Sequence, residues 1–291
     1  MKKISPILFG LSIAITGSWF ASAQDAATLP KILQITREYT KPYKGDAAHD
    51  KTESAFVQAM TRAKFPVYYE GFKSMSGKAR ALYFTQYDSF ADWEKANKIV
   101  AKSPTLAADL ERAGIGDSEL LDEVDSVVYV RDDELSYHPH ADISHARYME
   151  VEVFQIRPGH EREFREAAKM VKEAHDKAGD SAHWAMFQIA FGGESGTFVA
   201  LSADNSMADI DTGFANGKKF ADAMGEDGMK KLDHLSAEAI ESWHNELFSV
   251  NPKQSYVSPD WIKADPDFWK PKSMAAPAAK PAAAADKKPT P

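Results

Sequence analysis

The 291-residue chain contains no cysteine. That excludes a disulfide framework, a thiol nucleophile, cysteine-ligated metals and a lipidated N-terminal cysteine. Beyond residue 23 there is no run of 18 apolar residues, so no later segment is expected to cross a bilayer. Cations are in the minority, with 35 Lys and Arg against 43 Asp and Glu and a formal net charge of −8. Lys2, Lys3, Lys270, Lys272, Lys280, Lys287 and Lys288 lie near the two ends, which leaves the body between them more acidic still. Such a body repels phosphate backbones, and nucleic acid is not an expected partner. Phosphate loops of the Gly-x-Gly-x-x-Gly or Walker type, a Gly-x-Ser-x-Gly elbow and a His-Glu-x-x-His zinc helix are all missing.

With 44% hydrophobic and 27% charged residues, the chain can bury a core, and its length fits two domains. Residues 1–23 have the make-up of a signal peptide: Lys2 and Lys3, a short apolar stretch, then Ala21, Ser22 and Ala23 as a small-x-small cleavage pattern before Gln24. Export from a bacterial cell, to the periplasm or beyond, is therefore expected, with a fold held by packing alone. Residues 260–291 form a separate C-terminal segment. Its aromatics Trp261, Phe268 and Trp269 are expected to strap back over the body, and the Pro-, Ala- and Lys-rich remainder is expected to be a solvated tail.

An internal repeat with an offset of about 116 to 119 residues organises the rest. Residues 32–40 and 148–157 alternate as strands and end at Pro42 and Pro158. Helices follow over 47–64 and 160–178, with apolar stripes through Ala55, Phe56, Ala59, Met60 and Ala63 and through Phe164, Ala167, Ala168, Val171 and Ala174. Hairpins come next, 67–73 with 79–87 and 183–191 with 197–202, their turns marked by Gly77 and by Gly192, Gly193 and Gly196. Helical regions follow over 90–102 and 105–113, and over 207–224 and 229–240. Strands 126–131 and 245–250 close the two halves, which span 24–139 and 140–259.

The order strand, helix, strand, strand, helix, strand is the ferredoxin-like arrangement, an antiparallel sheet with both helices on one face. A chain carrying it twice can pack the two sheets face to face, and from Leu29 to Pro259 it resembles a tandem member of the dimeric α+β barrel superfamily. The resemblance rests on element order and repeat, and it implies an α+β fold in which two βαββαβ repeats close an intrachain barrel. That superfamily includes cofactor-independent monooxygenases, haem proteins similar to chlorite dismutase, and non-catalytic members, so the resemblance leaves open whether this chain is an enzyme.

Alternation along the strands places Leu33, Ile35, Met149 and Val151 under the helices, and Gln34, Thr36, Glu38, Glu150, Glu152 and Phe154 on the face toward the other sheet. Glu38, Glu150 and Glu152, with Tyr68, Tyr83 and Trp184 from the hairpins and His244 near the last strand, are then the candidate contacts for a small organic ligand. His138, His140 and His145 with Asp142 are spaced so that a folded loop could hold a metal, but a linker between repeats is polar by default, and no metal or cofactor is expected. His160, His175 and His234 lie in helices where haem could find an axial ligand, although none sits in a recognisable ligand pattern. Ligand binding is the principal expectation; a monooxygenase or haem enzyme, or a structural module forming a homo-oligomer, are the alternatives.

Overall fold

A computed structural model describes residues 29–140 and 142–270. The expected signal peptide, residues 1–23, and the expected tail beyond residue 270 lie outside the described residues. Eight strands appear in chain order: β1 (Ile32–Thr40), β2 (Tyr69–Ser74), β3 (Arg80–Tyr87), β4 (Leu121–Arg131), β5 (Tyr148–Ile156), β6 (Ala185–Phe191), β7 (Thr197–Asp204) and β8 (Ile240–Val250). Seven helices accompany them: α1 (Ala47–Ala63), α2 (Phe90–Ala101), α3 (Pro104–Ser118), α4 (Glu161–Ala178), α5 (Met207–Ala239), α6 (Pro259–Ala264) and α7 (Pro266–Trp269).

All pairings are antiparallel and the strands close one ring in the order β1-β3-β2-β8-β5-β7-β6-β4. Each βαββαβ half contributes four adjacent strands. The halves meet along two short seams, 72–74 of β2 against 248–250 of β8 and 128–131 of β4 against 187–191 of β6. Closure leaves no open sheet edge, which an isolated four-stranded sheet would have to protect by other means.

Helix boundaries follow local chemistry. Ser89 caps α2 by accepting the Asp92 N–H, and Pro104 opens α3, where its missing N–H costs nothing. α5 breaks at Gly225 (φ 73°, ψ 164°), a backbone conformation open essentially to glycine, which divides it close to the gap expected between 224 and 229. The α4 stripe is as expected, with Phe164, Ala167, Ala168, Val171 and Ala174 all buried. α1 departs from expectation at its start, where the buried inward side chains are His49 and Glu53.

β4 and β8 each begin about five residues earlier than expected. The added segments, such as Asp122, Glu123 and Val124, are largely exposed and carry no apolar alternation; pairing with the ends of β1 and β5 holds them in the sheet.

The sidedness of the sheet is the reverse of the expectation. Leu33, Ile35, Met149 and Val151 point into the barrel and form its core with Phe72, Leu82, Phe84, Val127, Phe187, Val199 and Phe248. Glu38, Glu150, Glu152 and Phe154 point outward beneath the helices, Phe154 against Phe164 of α4 and Glu38 against His49 of α1. Both faces of a closed barrel wrapped by helices are covered, so polarity alone does not mark the face away from the helices.

Separate cores fill the helix layers, one around Phe154, Phe164, Phe198 and Phe220, the other around Ile32, Phe65, Tyr87 and Leu106. One end of the barrel is stoppered by α6 and α7. Trp261, Ile262, Phe268 and Trp269 pack on the barrel core, and the Trp269 indole N–H donates to the Ser144 carbonyl at 2.8 Å.

Candidate functional site

The other end of the barrel is open, and a cavity of about 620 Å³ descends from it. Its walls are the inward side chains Ile35, Leu82, Val127, Val151 and Val199. Its rim is polar, because here the strands run past the core and their inward positions are filled by Arg37, Arg80, Gln155, His244 and Glu246. Arg37 is held by a two-pronged contact to Asp125, at 2.5 and 2.7 Å. Arg80 pairs with Glu246 and lies over the rings of Tyr39 and Phe248, at 5.6 and 5.3 Å from their centroids. His244 Nε2 is 3.9 Å from Glu246 Oε2, and the imidazole is more than half exposed at the mouth. The β2–β3 turn comes down over Glu246: Gly77 has φ 71°, and a Cβ there would strike the Glu246 carboxylate. An apolar shaft beneath a rim of oriented charges suits a small molecule with an apolar body and a polar end.

The residues singled out from the sequence do not converge on one site. His244 stands at the barrel mouth. Tyr68 packs at a 40° tilt against Tyr256, with centroids 5.1 Å apart, at the edge of the repeat 1 helix layer. Trp184 is buried in the repeat 2 helix layer, its N–H donated to Leu135 O at 2.8 Å. Glu150 and Glu152 lie under the repeat 2 helices, where Asn245 donates to Glu150 at 3.2 Å. Burial first, and then the Glu150 charge, push both Glu152 and Asp204 up to about 8. His140 and His183 approach each other, with ring centroids 4.2 Å apart, beside a cavity of about 380 Å³ that Asp204 and Asp209 also reach. His145 instead contacts the Ser144 hydroxyl. His138 and Asp142 line that same cavity, while His145 stands apart from it.

Glu38 and Tyr83 belong to a second polar centre that the sequence did not reveal. It lies under the repeat 1 helices, where His49 and Glu53 project from successive turns of α1, Glu38 from β1 and Asp117 from the last turn of α3. Donor atoms of these four buried residues all lie within 4.8 Å of one another. His49 Nε2 is 3.0 Å from Glu38 Oε2 and 3.4 Å from Asp117 Oδ1; Gln254 Nε2 is 3.3 Å from His49 Nδ1; and the Thr52 hydroxyl donates to Asp117. Burial alone would depress the His49 imidazole, but the Asp117 and Glu38 carboxylates outweigh it and push it up to about 10. Burial and then the Glu38 and Asp117 charges hold Glu53 well above the usual carboxylate range. Tyr69 and Tyr83 are raised too, by burial and then by Glu53 and Glu38. A signal was available in the His-x-x-x-Glu spacing of residues 49 and 53, which puts both on one helix face.

Of the three helix histidines considered for haem, His160 is half-buried and His234 exposed, with side chains 43% and 71% accessible. His175 is buried, its Nδ1 is fixed by Asp180 at 2.8 Å, and its Nε2 has no hydrogen-bond partner among the described residues. Yet the rings of Phe220, Trp184 and Tyr137 close over it at 4.7, 5.8 and 6.1 Å, in a layer where Phe154, Phe198 and Phe220 are 0–2% exposed. A porphyrin could reach Nε2 only by displacing those side chains, so His175 as packed does not fit an axial haem ligand.

No protein-family model matches the chain, and no curated protein matches it. Solved structures do resemble it. A proposed monooxygenase from Fusobacterium nucleatum superposes with a TM-score of 0.51 at 10% identity, covering 76% of this chain and 93% of its own. A chlorite dismutase variant from Candidatus Nitrospira defluvii gives 0.48 at 11% identity over 82% and 97%, and a haem-binding protein from Thermus thermophilus gives 0.44 at 9% over 81% and 95%. At such identities the likeness is one of fold alone: an α+β fold whose antiparallel strands, in this chain, close into one eight-stranded barrel within a single polypeptide.

Proposed function

We propose that the protein binds a small organic molecule in the open mouth of its barrel, with the apolar body in the shaft and a polar or anionic end at the rim. The observation that carries this reading is the pairing of a cavity of about 620 Å³ and aliphatic walls with the cations Arg37, Lys78 and Arg80 around its opening. Arg37 and Arg80 are already held in place by Asp125 and Glu246, so a ligand meets oriented donors and little ordering entropy is lost. The leader-like make-up of residues 1–23 supports action outside the cytoplasm.

A cofactor-independent oxygenase working in the same mouth is the second reading, favoured by the exposed His244 beside Glu246, a pair able to move a proton at a bound substrate. Titration with 1-anilinonaphthalene-8-sulfonate, an apolar ring system bearing a sulfonate, tests the binding reading. The wild type is expected to bind one equivalent with enhanced fluorescence, and Val153→Trp, which fills the shaft just inside the rim, is expected to weaken binding at least tenfold. Equal binding by both proteins contradicts the proposal.

A further inference from the structure

We propose that Glu38, His49, Glu53 and Asp117 form a binding site for one divalent first-row transition-metal ion, independent of the barrel mouth.

The donor chemistry is three carboxylates and one imidazole with no sulfur, a set that suits Mn²⁺, Fe²⁺ or Zn²⁺ rather than a soft, thiol-seeking ion. The geometry is compact. Metal–ligand bonds of roughly 2.1 Å put donors on opposite sides of a metal about 4.2 Å apart, and the four groups offer atoms that already lie within 4.8 Å of each other. They come from β1, α1 and α3, so the tertiary fold, not one flexible loop, brings them together.

A second observation points to a missing partner. Glu53 is 3% exposed and its Oε1 has no hydrogen-bond partner among the described residues. An orphaned carboxylate oxygen facing two further carboxylates is costly, because a buried acceptor gives up water and receives nothing in return. A cation at the centre of the cluster would satisfy it.

The surroundings are those of a supported site. The Thr52 hydroxyl orients Asp117, and Gln254 Nε2, which also donates to Asp50 at 3.2 Å, lies 3.3 Å from His49 Nδ1 and fixes the ring. A cavity of about 210 Å³, with Tyr43, Asp46 and Lys73 on its outer wall, reaches inward to His49 and Gln254 and provides a way in from the surface.

The test uses the full chain, dialysed against EDTA, freed of chelator, and titrated separately with Mn²⁺, followed by the electron paramagnetic resonance of the free ion, and with Zn²⁺, followed by calorimetry. Saturable binding of one equivalent of at least one of these ions is expected, with affinity reduced on the order of tenfold or more in Glu53→Gln and Asp117→Asn. Far-UV circular dichroism establishes that both isosteric variants fold. Glu70→Gln, which removes a different buried carboxylate, is expected to bind as the wild type does. No binding of either ion by the wild type overturns the proposal, and so does unchanged affinity in both folded variants.

Discussion

Single residues carry most of the electrostatic consequence of the fold. Glu70, Glu152 and Asp204 have their carboxyls raised, chiefly by burial, to about 7, 8 and 8. The folded chain therefore holds protons on these groups that the unfolded chain, with ordinary carboxylates, has released. Stability from the neutral forms is complete below about pH 4 and is lost as pH rises through 7 to 8. His49, raised to about 10, acts in the same direction: its contribution is present below the ordinary histidine value and is lost as pH rises toward 10. Thermal melts are accordingly expected to show a midpoint that falls steadily from pH 5 to pH 9. Glu152→Gln is expected to flatten that slope and to raise stability at pH 9 by roughly 1–3 kcal/mol, the cost of an unsatisfied buried polar group. A midpoint that rises with pH would refute this assignment of protons. Gly71 makes a steric prediction. A Cβ there would sit 2.5 Å from Gln254 O, so Gly71→Ala is expected to cost about 1–3 kcal/mol in urea denaturation by forcing the 252–254 turn off β2.

At the scale of elements, the stopper formed by α6 and α7 is the clearest case of a sequence signal turned into packing. Trp269 is 6% exposed and contacts the barrel core, and Trp269→Ala is expected to destabilise the chain by about 3–5 kcal/mol in chemical denaturation. A loss below about 1 kcal/mol would mean that the barrel end closes without it. The order of strands and helices was legible because periods of two and of three to four residues differ plainly, and because Gly77, Gly192 and Gly196 mark the hairpin turns at positive φ. The early halves of β4 and β8 were not legible, since their exposed charged residues carry no alternation and are strand only because β1 and β5 lie beside them. The face of the sheet was misread for a related reason. Alternation separates Leu33 and Ile35 from Gln34 and Glu38, but it does not say which set meets a helix, and a closed barrel reserves its interior for the apolar one. The cluster around His49 was hidden because its members are 11, 4 and 64 residues apart along the chain, and because α3 runs on to Ser118, past the expected end of that helix, and so carries Asp117 inward.

As a whole molecule, the chain is one ring of eight strands plugged at one end and open at the other, with a buried polar centre under the repeat 1 helices outside the ring. The two halves divide the work unequally. The repeat 2 helix layer packs Phe154, Phe198 and Phe220 together with the buried Glu150, Glu152 and His175, whereas repeat 1 gathers Glu38, His49, Glu53 and Asp117 into one compact cluster beside its apolar core. Of the seven residues marked from sequence as ligand contacts, His244 alone lies in the open mouth, and its neighbours there, Arg37 and Arg80, were not marked because charged strand residues read by default as solvated. The most direct test of the account is a crystal structure of the protein soaked with 1-anilinonaphthalene-8-sulfonate. Density for the ring system between Val151, Val153 and Val199, with the sulfonate toward Arg37 or Arg80, is the expected result. Density confined to the outer helices, or a mouth filled by its own side chains, would contradict it.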